Sequence, residues 1–388
     1  LCGSSPQFRD SEHLFFSLSS LAEQLSSWLK GQAQWRPNVI NFSNHYLSEG
    51  LRDRAITRDI EWGIPVPFPD FAGKRIYVWF EAVIGYLSAS KEWAQNIGDS
   101  ERWHEFWQGD AKAYYFLGKD NIVFHTIIWP AMLMAYGGLN LPYDVPANEF
   151  LTLEGRQFST SRRWAVWLPD FLERYEPDAL RYMLSVSMPE GGDTDFSWRE
   201  FLRRNNDELV ATYGNLSHRV LTFIQRNFDG CVPSPGELNA RDNSLLAQAQ
   251  DALDAVGGLL SRCRFREAIR TAMSLAQECN RYLEEKAPWK TIERDREACA
   301  TSIYSALAVI SCLNTALYPF LPFSSERLHH LLGFAGKVED SGWSFQVPPA
   351  GQRLEPPKPL FLKLDDAIVA EEQARLRSEF VSGFARSS

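Results

Sequence analysis

The chain is poor in the residues that would build a disulfide framework, a metal knuckle or a membrane anchor. Its six cysteines, Cys2, Cys231, Cys263, Cys279, Cys299 and Cys312, nowhere form Cys-x-x-Cys in 388 residues. The last four fall in or beside sequence of helical period, so buried free thiols account for them better than disulfides in a chain this long. A lone cysteine cannot build a tetrahedral zinc site, and no bound metal is expected. Polar residues interrupt every apolar run well short of the ~20 positions that cross a bilayer, so no transmembrane helix or other membrane association is implied, and no signal peptide is evident. Positive charge is also short: 40 Lys and Arg against 49 Asp and Glu leave −9. That balance argues against non-specific nucleic-acid binding through global charge, while local basic clusters remain able to engage RNA. Internal repeats are absent.

What is present is ordinary globular composition, 45% hydrophobic and 23% charged, at a length suited to two or three domains. Leu14, Phe15, Leu18, Leu21, Leu25 and Leu29 follow a near 3.6-residue period, although the first of them suit a strand equally. A short helix is predicted over 41–50, capped by Asn41 or Ser43 and stopped at Gly50. The span 54–65 reads as an extended connection ending in Pro65-Val66-Pro67. Two β-rich runs, 76–80 and 113–117, each precede a helix-length segment, 83–93 and 121–136. Strand followed by helix, repeated, predicts a parallel α/β sheet whose ligands sit at the carboxyl ends of its strands. Beyond Asp170 the period is helical: 168–186 broken at Pro177, then 199–228, 243–263, 265–286 and 298–317. Consecutive helices with short connections predict an antiparallel bundle. A Pro-rich linker over 347–364 and a short surface helix over 371–380 complete the chain.

Three places invite chemistry. In FLTLEGRQFSTSRRWAVW (150–167), Gly155 breaks a strand-like run, and Arg156, Arg162 and Arg163 bracket Ser159-Thr160-Ser161. Backbone N–H groups, hydroxyls and guanidinium forks suit a polyphosphate, and the same composition also fits an exposed polar loop. Gly118-Lys119-Asp120-Asn121 follows the second β-rich run and opens a helix, where a backbone can approach an anion; Asp120 equally suits an N-cap. Trp79 and Tyr86 after the first run, and His125 on an apolar helix face, read either as core or as the wall of a pocket.

The stretches 77–90, 116–133 and 150–167, in that order, together resemble the methionyl-tRNA synthetases, class I aminoacyl-tRNA synthetases, and the bacterial type in particular. The resemblance runs from Cys2 to about Leu332. It implies the second half of a Rossmann-like α/β catalytic domain followed by an all-α antiparallel helix bundle. The implied division is a connective-domain remnant (1–66), the catalytic half (67–150), a signature loop with a stem-contact region (151–204), an anticodon-binding domain (205–345) and a tail (346–388). The implied reaction is ATP-dependent activation of methionine and its transfer to tRNA(Met), with ATP and Mg2+ as the substrate complex, in a cytoplasmic monomer.

By the same resemblance Trp79, Ala82, Tyr86 and His125 line a methionine pocket, with Glu81 standing where the family usually has Asp. An unbranched thioether wants aromatic faces and no charge. Gly118, Asp120, Arg156 and Thr160 are implied in ATP binding. The family signature Lys-Met/Phe-Ser-Lys-Ser aligns with Gln157-Phe158-Ser159-Thr160-Ser161, so Gln157, Ser159, Thr160 and Ser161 take the catalytic-loop positions with both lysines replaced. A His-Ile-Gly-His-like element is not found: none of the seven histidines, His13, His45, His104, His125, His218, His329 and His330, sits in one. Cys2 resembles the last ligand of a zinc knuckle whose partners would precede residue 1, so zinc is not expected. The expectation is a C-terminal portion of a longer enzyme, partial or catalytically impaired. The alternatives are a synthetase-derived RNA-binding or regulatory module without adenylation, and an incomplete gene product.

Asn215 and Arg219 are four apart on one helix face, and Pro288-Trp289 ends a helix carrying Arg262, Arg264, Arg266, Arg270 and Arg281 at or near it. Aromatic stacking with amide and guanidinium hydrogen bonds is how single-stranded RNA loops are read. Without the resemblance Trp289 reads as a bundle cap; with it, Asn215, Arg219 and Trp289 match the family's anticodon readers.

Overall fold

Pro37 sets the first well-defined helix. At the first helical position its missing N–H costs nothing, so the helix runs Pro37–Ser48 and begins four residues before the predicted start. Ser43, predicted as a cap, instead lies buried inside it, its hydroxyl donating to the Val39 carbonyl at 2.8 Å. The computed structural model describes residues 10–344 and 346–384, without the side chains of 379 and 381–384; Cys2 lies outside the described residues. Contacts divide the chain into two units, Leu1–Phe150 with Glu190–Gly192, and Leu151–Pro189 with Asp193–Ser388.

In the first unit the run 76–80 is mostly not a strand. Only Arg75–Ile76 pairs, antiparallel to Thr57–Arg58. The Tyr77 carbonyl then accepts from the N–H groups of Phe80 and Glu81, and the chain turns helical over Val78–Glu81 before the Gly85–Asn96 helix. The β-favouring side chains of this run lose to their surroundings, as strand propensity commonly does. Of the second run only Tyr114, in a parallel bridge to Asp144, and Leu117 pair, so the strand is shorter than predicted and displaced onto Gly118. Leu117–Gly118 pairs in parallel with Ala147–Asn148, and the segment between them supplies helix, giving one β–helix–β unit. That helix changes pitch along its length: a 3-10 turn at Lys119–Asn121, π-helical winding over Phe124–Ile128, then α-helix over Trp129–Tyr136.

The second unit opens with a hairpin, Leu151–Leu153 against Arg156–Gln157. Glu154 and Gly155 turn it with φ of 49° and 74°. Leu151–Leu153 also pairs in parallel with Thr194–Phe196. The predicted long helix over 199–228 is continuous but changes winding twice. Ser197 caps Trp198–Arg203 by accepting from the Glu200 N–H, Arg204–Gly214 is π-helical, and Asn215–Asn227 is α-helical.

Ala240–Ser261, Phe265–Lys286 and Arg296–Leu317 pack together as the bundle, their buried Ala249, Ala268, Ala272, Ala276, Ala306 and Ala308 letting the backbones approach. Contrary to the reading of its apolar runs, Arg296–Leu317 is by length and composition apolar enough to cross a membrane, but 89% of its apolar window is buried among its neighbours. The tail is a strap. The Asn206 amide both donates to the Leu364 carbonyl and accepts from its N–H, each at 2.9 Å, and a helix follows over Ala367–Phe384, longer than predicted. Cys279, Cys299 and Cys312 are buried and free, and Cys263 is buried. Burial pushes the thiols of Cys279 and Cys312 up to about 12, which leaves them inert.

Candidate active site and nucleic-acid groove

His125 sits in the π-helical turn, and its ring is held at both nitrogens. Nδ1 lies 2.9 Å from the Asn121 carbonyl, which only accepts, so Nδ1 carries the proton. Nε2 is then the acceptor for the Tyr86 hydroxyl at 2.8 Å. Tyr115 closes the nest, with its ring 5.1 Å from Tyr86 and 5.5 Å from His125, while its oxygen accepts from the Trp129 indole at 3.0 Å. Wide helical turns of this kind recur at functional sites because they re-aim one side chain without ending the helix.

Burial drives the His125 imidazole below its ordinary 6.5, with the Asn121 carbonyl pulling the other way. The ring is therefore expected to remain neutral and Nδ1-protonated below pH 6.5, which nitrogen–proton correlation spectra of the imidazole would read directly. Because the unfolded chain takes up this proton first, falling pH costs stability from about 6.5 downward. A protonated ring at pH 6.5 would contradict this geometry.

Trp79 lies on the helical turn after Ile76, 54% exposed, with its ring 5.8 Å from Phe124. It helps line a cleft of about 560 Å³ together with Tyr77, Phe80, Asp120, Asn121 and Phe124. Asn121 thus faces the cleft and also fixes His125. Ala82 is exposed, and neither it nor Tyr86 and His125 line this cleft. Asp120 lies inside the 3-10 turn and not at its cap, which is Gly118, exposed and with an ordinary extended backbone, φ −87°. Lys119 pairs with Glu149 at 2.8 Å and covers the Phe150 ring at 4.1 Å.

The Ser-Thr-Ser segment forms a closed loop. Ser159 and Trp164 exchange both backbone hydrogen bonds at 2.9 Å, and the Ser159 hydroxyl accepts from the Arg162 N–H at 3.3 Å. Arg163 adopts a left-handed φ of 55° to complete the turn, an uncommon conformation for a residue with a side chain. Gln157, Thr160, Ser161, Arg162 and Arg163 are exposed, whereas Ser159 is half-buried. The Arg156 guanidinium lies over the Trp164 ring at 4.9 Å.

In the bundle, Asn215, Arg219, Thr212, His218, Gln277, Asn280 and Glu284 line a polar groove of about 500 Å³. Arg219 donates to the Asn280 side-chain oxygen at 3.0 Å and stands 5.4 Å from the ring centre of Trp289, which is 42% exposed. The other end of the Asn280 amide donates to the carbonyls of Thr212 and Ala276, both at 3.1 Å. Those two contacts fix which way the amide points. Trp289 is placed from below: Lys286, just before it, pairs with Asp242 at 2.7 Å, and Asp242 also accepts from the Tyr282 hydroxyl at 2.8 Å. Some of the neighbouring arginines are committed to ion pairs, Arg264 with Glu267 and Arg281 with Glu278.

Residues 1–221 match the family model for class I tRNA synthetases (M), and residues 232–380 match that for the anticodon binding domain of methionyl tRNA ligase. The chain belongs to the methionyl-tRNA synthetase family. A methionine–tRNA ligase of Dehalococcoides mccartyi is 58% identical over 96% of this chain and 67% of its own length. One of Roseiflexus castenholzii is 49% identical over 98% of this chain and 70% of its own. Among solved structures, a methionyl-tRNA synthetase of Mycobacterium tuberculosis bound by methionyl-adenylate superposes with a TM-score of 0.80 at 28% identity, covering 90% of this chain and 68% of that one. Its apo form gives 0.79. A class I catalytic fold followed by a helical anticodon-binding domain is the architecture of this synthetase chain.

Tyr115 and Asn280 carry no signal in the sequence reading, and Asn121 enters it only as the last residue of Gly118-Lys119-Asp120-Asn121. Asn121 acts through its backbone carbonyl, which no side-chain pattern advertises. Tyr115 and Asn280 come from elements remote in sequence from the residues they hold. Among the described residues, no group of three or more His, Cys, Asp or Glu is arranged to hold a metal ion.

Proposed function

We propose that this chain serves ATP-dependent activation of methionine and its transfer to tRNA(Met), with adenylation weakened at the signature loop. In that reaction the methionine carboxylate attacks the α-phosphorus of ATP, pyrophosphate leaves, and the acyl group passes to the terminal ribose. Trp79, Ala82, Tyr86 and His125 would receive the methionine side chain, and Gly118 and Asp120 the nucleotide or amino-acid polar groups. Ser159, Thr160, Ser161 and Gln157, with Arg156, would face the phosphates of Mg2+–ATP. Asn215, Arg219 and Trp289 would read the anticodon. The cytoplasm is the compartment this role requires.

The observation that carries the reading is the neutral His125 ring, fixed between the Asn121 carbonyl and the Tyr86 hydroxyl beside aromatic faces. With both nitrogens already satisfied, the ring and its aromatic neighbours present a polarizable, uncharged surface to a thioether. Because Trp79 is 54% and Tyr86 44% exposed, the pocket covers methionine only in part. Calorimetric titration of this chain is expected to give an affinity on the order of millimolar. Trp79→Ala is expected to weaken it by about 10-fold, the loss of one aromatic face. Micromolar binding that survives Trp79→Ala would overturn the pocket assignment.

A second reading, an RNA-binding module without adenylation, draws on the contrast between a groove with Asn280, Arg219 and Trp289 in place and a signature loop lacking both lysines. Specific stem-loop binding with no pyrophosphate exchange would favour it.

A further inference from the structure

The Ser-Thr-Ser loop is supported from behind by the far end of the chain. Trp164, which closes the loop through its backbone pair with Ser159, is buried, and its indole N–H donates to the Leu153 carbonyl at 2.9 Å. Its ring meets Phe380 of the C-terminal helix edge-on, with centroids 5.4 Å apart, and also carries Arg156. At the hairpin turn, Glu154 is held by both oxygens: one accepts from the Trp198 N–H at 2.9 Å, the other from the Gln373 amide at 3.0 Å.

The helix that delivers Gln373 and Phe380 is itself firmly seated. Glu372, 3% exposed, accepts two bonds from the Arg174 guanidinium, at 2.8 and 3.1 Å, and one from the Tyr175 hydroxyl at 2.9 Å. A bidentate guanidinium–carboxylate pair fixes direction as well as distance. Upstream, the Asn206 clamp on Leu364 fixes where the helix starts. The tail therefore touches two separate points, the turn of the hairpin that leads into the loop and the loop's closing residue.

We propose that Gln373 and Phe380 are positioning residues, which hold the Ser-Thr-Ser loop in the conformation that receives the pyrophosphate of ATP. The proposal rests on reading that loop as a phosphate site. Neither side chain contacts substrate; each acts through Glu154 or Trp164. Since the Arg163 backbone is left-handed, the closed loop needs outside support to persist. Release of the tail would let Arg162 and Arg163 wander and would cost phosphate affinity, with the bundle untouched.

The test uses the whole chain with Phe380→Ala, Gln373→Ala and the conservative Phe380→Tyr. Amide hydrogen exchange over 156–166 is expected to quicken by about 10-fold in both alanine variants and to return to the parent rate in Phe380→Tyr. Calorimetry with inorganic pyrophosphate is expected to show at least about 5-fold weaker binding in the alanine variants. The melting temperature and anticodon stem-loop affinity should stay at parent values, readouts that a general packing defect would move. Unchanged exchange and unchanged pyrophosphate affinity would overturn the proposal, as would equal loss in Phe380→Tyr and Phe380→Ala. A parent chain that binds no pyrophosphate would refute the phosphate reading of the loop and with it this role, whereas exchange would still report whether the tail braces it.

Discussion

Restoring both signature lysines, Gln157→Lys with Thr160→Lys, is expected to raise methionine-dependent pyrophosphate exchange by ~10-fold or more. The assay is a fusion supplying a catalytic half that bears the His-Ile-Gly-His element. Negative charge develops on the departing pyrophosphate, and one preorganised donor aimed at such charge is worth roughly 2.7–4 kcal/mol. Glutamine and threonine can hydrogen-bond there but bring no charge. The structure narrows what can replace it. Arg156 is laid over Trp164, which leaves Arg162 and Arg163 on the exposed side of the closed loop. Their register differs from that of the lost lysines, and a misplacement of about 1 Å can cost ~10²-fold. An unchanged rate in the double variant would mean that the two arginines already do this work, and that the loop is a functioning variant of the family signature.

Trp289→Ala is expected to weaken binding of a CAU anticodon stem-loop by about 1–3 kcal/mol, the usual value of one base stacked on an aromatic ring. The indole is 42% exposed, with Arg219 standing 5.4 Å from its centre, so a base stacked on the open part of the ring comes within reach of the guanidinium. Asn280 holds Arg219 independently of Trp289, so the substitution removes stacking and leaves the guanidinium in place. Fluorescence anisotropy with CAU and scrambled stem-loops gives the measurement. Equal affinity of the parent for both loops would rule out anticodon reading, whatever Trp289→Ala does.

The parts of this fold that can be read from the sequence are those where a long period has only one way to be buried. The helix Phe265–Lys286 occurs at the predicted residues, because twenty-two positions of apolar period leave little choice of face. The run at 76–80 misled because five β-favouring residues are too few to decide. Backbone capping by the Tyr77 carbonyl, which has no sequence signal, turned them helical. The site follows the same division. Trp79, Tyr86 and His125 stand out by residue type and by resemblance, but the tautomer of His125 depends on a carbonyl whose position comes from the pitch of the helix. The bracing of Trp164 by Phe380 joins residues more than two hundred positions apart, a distance over which no local pattern speaks.

The wide winding of Arg204–Gly214 acts as an angular offset between the two halves of one long rod. An α-helix advances about 100° per residue; i→i+5 winding takes more residues per turn, so the extra residues of this stretch are absorbed without rotating the later half of the rod. Wound throughout as α-helix, the same residues would present Asn215 and Arg219 about 100° further around the axis for every residue so absorbed. Arg219 would then miss Asn280, and the Thr212 carbonyl would turn away from the amide from which it accepts at 3.1 Å. Whether this groove exists is thus settled by counting residues as much as by their chemistry: a one-residue insertion or deletion between Arg204 and Val210 would rephase the groove without altering any residue that lines it.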